Sequence, residues 1–166
     1  MNIMKKTGFM FLSLAISLVM ASALLFTQCK KPAEDNPDAV VNVVSAFYKN
    51  YLKSIENSTG LISYLQKHPQ VDETFMQKIN ALFKEAEQDE CGLGYDPILM
   101  AQDIPSDFQY GKPLITGNSA KLAVYASWGT PESKYVICVS LVKKDDNWRI
   151  TDICNKKLED GCDCPE

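Results

Sequence analysis

Histidine is nearly missing from this 166-residue chain: His68 is the only one. That removes the side chain most often used to move a proton near neutral pH. Positive charge is not in excess either, since 17 basic against 21 acidic residues leave a net charge of −4. A nucleic-acid binder held by net positive charge is therefore excluded. There is no Gly-x-Ser-x-Gly elbow, no His-Glu-x-x-His pair and no phosphate-cradling glycine loop. Gly92-Leu93-Gly94 lacks the preceding strand that a nucleotide loop needs. Internal repeats and low-complexity stretches are absent, and nothing implies a cofactor. What is present is ordinary for one globular domain: 46% hydrophobic and 23% charged residues.

The N-terminus carries the strongest pattern. Lys5 and Lys6 precede an apolar, acid-free stretch from 9 to 26, which ends at Thr27-Gln28-Cys29; all 21 acidic residues lie after position 28. Basic start, apolar core and cysteine together resemble the bacterial lipoprotein signal, in which the cysteine is lipidated and becomes the mature N-terminus. Gln28 stands where that signal usually has a small residue; the alternative is an uncleaved signal anchor. The resemblance implies a signal over 1–28, lipid on Cys29 and a membrane attachment through it. Lys30, in place of the aspartate that often retains lipoproteins in the inner membrane, favours the outer membrane, facing periplasm or surface. A polar tether (29–37), an α+β domain (38–155) and a cysteine-containing tail (156–166) follow.

Export makes disulfides available, and five cysteines remain beyond Cys29: Cys91, Cys138, Cys154, Cys162 and Cys164. Cys138 lies within the apolar run 135–142, so it is expected to be buried and unbridged. Cys154 is expected to bridge to Cys91 or to a tail cysteine, Cys162 or Cys164. Cys162-Asp163-Cys164 brings a metal to mind, but a structural zinc site takes about four Cys or His ligands and the single histidine sits in a separate helical region. No metal is expected.

Asn36-Pro37-Asp38 reads as a helix cap with proline at the first helical position. Val40, Val43, Val44, Phe47, Tyr51 and Ile55 then recur at helical spacing. A short helix over 61–67 stops at His68-Pro69, where the histidine is expected to be exposed. A third begins at Asp72 and buries Phe75, Ile79, Leu82, Phe83 and Ala86. After Pro105 the period changes to two. An edge strand over 108–114 is interrupted by Gly111 and Pro113. Leu122, Val124, Ala126 and Trp128 form one face of the next strand, and Tyr135, Ile137, Val139 and Leu141 one face of the strand after it. The connecting loop would pair Trp128 with Tyr135 and Val124 with Val139. Trp148, Ile150 and Asp152 follow a turn at Asp145-Asp146-Asn147. Helices followed by an antiparallel meander of about four strands predict an α+β fold with the helices on one sheet face.

This order of elements resembles the cystatin-like, nuclear transport factor 2-like fold, in which a curved sheet wraps a helix into a cone. Three pieces also resemble the uncharacterised bacterial lipoprotein family with domain of unknown function 3828. They are Phe47-Tyr48 with Tyr51-Leu52, then Tyr95-Asp96-Pro97-Ile98-Leu99-Met100-Ala101-Gln102-Asp103-Ile104-Pro105, and Trp148-Arg149-Ile150-Thr151-Asp152-Ile153. The resemblance implies a fold but no activity. Within the second piece Asp96 can cap a short helix over 98–101. Gln102 and Asp103 would lie at the mouth of the cone and bind a ligand's polar groups, or their polar atoms would satisfy the turn's own N–H groups. Tyr125, Trp128 and Trp148 would line a pocket or fill the core. Asp103 or Asp152 beside Tyr125 could imitate the acid–tyrosine pair of isomerases with this fold. The leading expectation is a non-catalytic envelope lipoprotein that binds another envelope protein or a small ligand. The alternatives are an isomerase- or hydrolase-like enzyme with an acidic pocket, and a structural or inhibitory domain acting through its sheet.

Overall fold

The computed structural model describes residues 36–90, 92–130, 133–155 and 161–165. The signal, Cys29, most of the tether and Cys91 lie outside the described residues. Among the described residues, three helices precede a five-stranded antiparallel sheet: α1 Pro37–Glu56, α2 Leu61–Lys67, α3 Glu73–Ala86, β1 Asp107–Tyr110, β2 Leu114–Thr116, β3 Ser119–Ser127, β4 Tyr135–Lys144 and β5 Asn147–Cys154. The expected α+β class is observed. No described helix is long and apolar enough to cross a membrane.

Local chemistry sets the helix starts. The Asn36 side chain accepts the Asp38 N–H at 3.0 Å, and Pro37 follows as the first helical residue. Val40, Val44, Phe47, Tyr48 and Tyr51 then point into the core. Asp72 caps α3 through Thr74, and Phe75 and Ile79 are its buried anchors. His68 is half-buried rather than exposed, because Phe47 and Tyr64 pack against its ring, each with centroids 5.2 Å away. Burial lowers its pKa.

The strands run in the order β1-β3-β4-β5, with β2 also paired to β3 on the side of β1. The expected edge strand is thus split into two short ones around Gly111 and Pro113. Asp145 and Asp146, both at positive φ (51° and 62°), form the two-residue turn between β4 and β5. Val124 pairs with Ile137 and Ala126 with Tyr135, so the expected register is two residues off. A shift of two keeps every side chain on its face, which is why alternation alone did not detect it. A register shift at Ser140/Leu141, pairing Leu141 with Ile150 and Ser140 with Asp152, leaves Thr151 as the extra residue on β5. That bulge takes Asp152 out of phase with Trp148 and Ile150.

The chain between α2 and α3 pairs with the β5 edge at Ile150. The Asp72 N–H donates to the Ile150 carbonyl at 2.9 Å, and the Ile150 N–H donates to the Gln70 carbonyl at 2.7 Å. Val71 thereby forms a parallel bridge with Ile150. Asp72, 2% exposed, locks this junction by accepting from Lys144 at 2.5 Å and from the Thr74 hydroxyl at 2.7 Å. The Lys144 hydrogen bond, helped by those of Thr74 and opposed by burial, holds the Asp72 carboxyl at about 2, below its ordinary 3.8. A depressed carboxyl contributes stability above its unfolded pKa and loses it as pH falls through its folded pKa. Asp72 should therefore contribute about 2 kcal/mol near neutrality. That contribution should vanish between roughly pH 4 and pH 2. Urea melts across this range should slope less in Asp72→Asn than in the parent; parallel slopes would refute the assignment.

Candidate functional site

Residues 96–101 carry three core residues, Ile98, Leu99 and Met100. One turn is all they make: the Met100 N–H donates to the Asp96 carbonyl at 2.7 Å, and the Asp96 N–H returns to the Ala101 carbonyl at 2.8 Å. Met100 sits at φ 52°, outside the helical region, so the expected helix over 98–101 does not form. Asp96 does cap this turn. Its Oδ1 accepts the N–H groups of Ile98 at 2.8 Å and Leu99 at 3.0 Å. Ile98, Leu99 and Met100 are buried to 0%, 2% and 3% exposure and join the core between helices and sheet.

Three tyrosine hydroxyls hold the turn from outside it. Tyr48 of α1 donates to the Ile98 carbonyl at 3.2 Å, and Tyr135 of β4 donates to the Leu99 carbonyl at 2.7 Å. Tyr51 donates to the Asp96 Oδ2. Burial raises the pKa of all three, with the Asp96 charge adding to it, and pushes Tyr135 up to about 12. These hydroxyls stay protonated across the physiological range. An acid–tyrosine pair therefore exists, but it is Tyr51 with Asp96, and both carboxylate oxygens already carry structural bonds. A hydroxyl on the core face of a helix needs an acceptor, and Tyr48 and Tyr51 on the face of Phe47 were the sequence signal for this cluster.

The remaining candidates do not converge on one cavity. Gln102 and Asp103 are exposed, and Asp103 makes no hydrogen bond to a described residue, so the expectation that it satisfies the turn is corrected. Asp152 pairs with Lys78 of α3 at 2.7 Å, beside the β5 edge. Trp148 is core, at 5% exposure. Tyr125 lies on the outer sheet face, where the Lys134 ammonium stands 4.8 Å from its ring centroid. Trp128 is 41% exposed and stacks on Tyr135 at 5.1 Å.

Exposed apolar groups gather at one end of the sheet. The Ser106 N–H donates to the Ser127 carbonyl at 2.9 Å, which lays the chain entering β1 beside the chain leaving β3. Ile104, 50% exposed, and Trp128 lie just beyond that bond. Next to them on the outer face is a groove of about 310 Å³ lined by Asp107, Gln109, Tyr125, Ser127, Thr130 and Lys134. A second groove, about 250 Å³, lies between α1 and α2 and is lined by polar groups including Asn50, Lys53, Ser63 and Lys67.

At Cys138 and Cys154 the tail is fastened to the outer face. Cys138 is bonded to Cys164, and Cys154 to Cys162. The expected bridge from Cys154 to a tail cysteine is present, and Cys138 is buried at 3% exposure as expected, but it is not unbridged. Alternation puts Cys138 on the face opposite Ile137 and Val139, directly across from Cys154; it is buried by the tail rather than by the core. Lys121 adds an ion pair to Asp163 at 2.8 Å.

No family model matches the sequence, and no curated protein does. Among solved structures the fold is similar to one chain of the type VI native effector-immunity complex Tae3-Tai3 from Ralstonia pickettii. The TM-score is 0.55 at 18% identity, over 76% of this chain and 99% of that one. A chain of the selenomethionine form of the same complex gives 0.49 at 20% identity, over 69% and 93%. At such identities the likeness is one of fold.

Proposed function

We propose that the chain is a non-catalytic lipoprotein of the bacterial cell envelope, anchored by lipid on Cys29 in the outer membrane. Its folded domain binds another protein through the sheet end that carries Ile104 and Trp128. The observation that carries the binding half is the filled interior: Ile98, Leu99 and Met100 occupy the space between helices and sheet. The Asp96 and tyrosine groups there are committed to one another and to backbone, so recognition falls to the outside. A stacked, exposed tryptophan at the same sheet end as an exposed isoleucine is the kind of anchor that protein interfaces use. The likeness to a chain from a complex of two proteins, an effector and its immunity partner, supports a protein as the partner.

Membership of the lipoprotein family with domain of unknown function 3828, and a cystatin-like cone, belong to the same proposal. Its support is that two of the resembling pieces meet: Tyr48 and Tyr51 of the first donate to the turn of the second.

Two measurements test the reading. Mass spectrometry of membrane-extracted protein should find lipid on an N-terminal Cys29; an intact Met1 would sink the anchor. Crosslinking in envelope fractions, quantified afterwards with the purified partner, should show Trp128→Ala and Ile104→Ala weakening capture about tenfold or more. Leu114→Ala, at a 57% exposed position beside Lys121, should not weaken it. Equal capture by all three variants would remove the proposed surface.

A further inference from the structure

We propose that, with its cysteines reduced, the protein binds one zinc-class divalent cation through Cys138, Cys154, Cys162 and Cys164. This goes beyond the binding reading above and does not depend on it. Cys138 and Cys154 are cross-strand neighbours on the outer face of β4 and β5. Cys162 and Cys164 stand two residues apart in the tail, with Cα atoms 5.9 Å and 5.3 Å from those of Cys154 and Cys138. The sulfurs of Cys138, Cys154 and Cys162 lie within 4.8 Å of one another, and that of Cys164 is bonded to the Cys138 sulfur.

A tetrahedral zinc site with Zn–S near 2.3 Å needs sulfurs roughly 3.8 Å apart. Once the disulfides open, the Cys138, Cys154 and Cys162 sulfurs are already near that spacing, and Cys164, tethered beside Cys138 with Cα atoms 5.3 Å apart, swings in as the fourth. All four ligands come from the protein and two are almost fully buried, so the site is closed and structural, with no open position for chemistry. Four thiolates around a dication leave a charge of about −2. Lys121, ion-paired to Asp163 between two of the ligands, keeps the Asp163 carboxylate from adding to it. The missing histidines thus do not matter, because the sheet and tail supply four ligands of one kind.

Metal and disulfides exclude each other. Passing from the loaded form to the disulfide form moves two electrons from each pair of thiolates to an oxidant. With two molecules of a disulfide oxidant and four protons, the products are two protein disulfides, four oxidant thiols and the free ion. The tail is held against β4 and β5 in both forms.

The test uses the full chain, reduced without oxygen and titrated with cadmium alone. The sulfur-to-cadmium ultraviolet band should rise to saturation at about one equivalent, and zinc should displace it competitively. The Cys162→Ser/Cys164→Ser double variant should bind at least about a hundredfold more weakly, while Cys91→Ser should bind like the parent. The reduced parent also lacks both disulfides, so the comparison is like for like. Far-ultraviolet circular dichroism on each sample reads the fold; helix and sheet regained on adding cadmium would also support the site. No saturation near one equivalent, or equal affinity in parent and double variant, would overturn it.

Discussion

Replacing Asp96 with alanine is expected to destabilise the protein by about 3 kcal/mol, because three donors lose their acceptor at once. The N–H groups of Ile98 and Leu99 and the Tyr51 hydroxyl all point at this one carboxylate. Ile98 and Leu99 are buried and cannot turn to water. Asp96→Asn keeps one acceptor oxygen for the two N–H groups and should cost about 1 kcal/mol. Tyr51→Phe removes a donor and leaves Asp96 its backbone partners, so a loss near 1.5 kcal/mol is expected. In the double variant the losses should fall short of their sum, since each removes the same contact. Urea melts of the four proteins decide this. If Ala and Asn prove equally mild, the turn is not held by this carboxylate, and Asp96 becomes a candidate for ligand chemistry after all.

Opening the Cys138–Cys164 bridge by Cys138→Ala with Cys164→Ala should lower stability by about 3 kcal/mol in metal-free buffer. The bridge closes 26 residues of chain, against 8 for Cys154–Cys162, and longer closed loops constrain the unfolded chain more. Removing the shorter bridge alone should cost less, because it closes fewer residues. Peptide mapping without reductant should recover the two observed pairings. Recovery of Cys138 joined to Cys91, or an unchanged melt, would contradict the structure.

Most of the architecture was legible because it is written locally. The cap at Asn36, the ends of α2, the start of α3 and the Asp145-Asp146 turn each depend on a few adjacent residues, and all were readable. The break at Gly111 and Pro113 was readable for the same reason. Readings that needed two distant segments at once went astray. The register of β3 on β4 slipped by two because period-two alternation is indifferent to that shift. Asp152 was read in phase with Trp148 because nothing near Thr151 announces the bulge. Cys138 was read as unbridged, although its own strand pattern already placed it on the face away from Ile137 and Val139.

The candidate site was less legible. Asp96 was singled out as a cap and is one, whereas its tie to Tyr51 across 45 positions could not be read from spacing. Gln102, Asp103, Tyr125 and Trp128 were chosen for a shared pocket that the filled interior leaves no room for. They are instead dispersed: Gln102 and Asp103 are exposed after the turn, Tyr125 lines the outer groove and Trp128 stacks on Tyr135.

The bridge between Val71 and Ile150 makes the sheet one-sided in how it can grow. A sheet with two open edges can accept a neighbour on each and propagate into a fibre. Here the β5 edge carries backbone from the same chain at Ile150, and among the described residues the β1 and β2 side carries none. Strands of four and three residues, parted by Gly111 and Pro113, are a poor template for a second chain. If two copies ever meet there, the contact is edge to edge and both partners are used up by it.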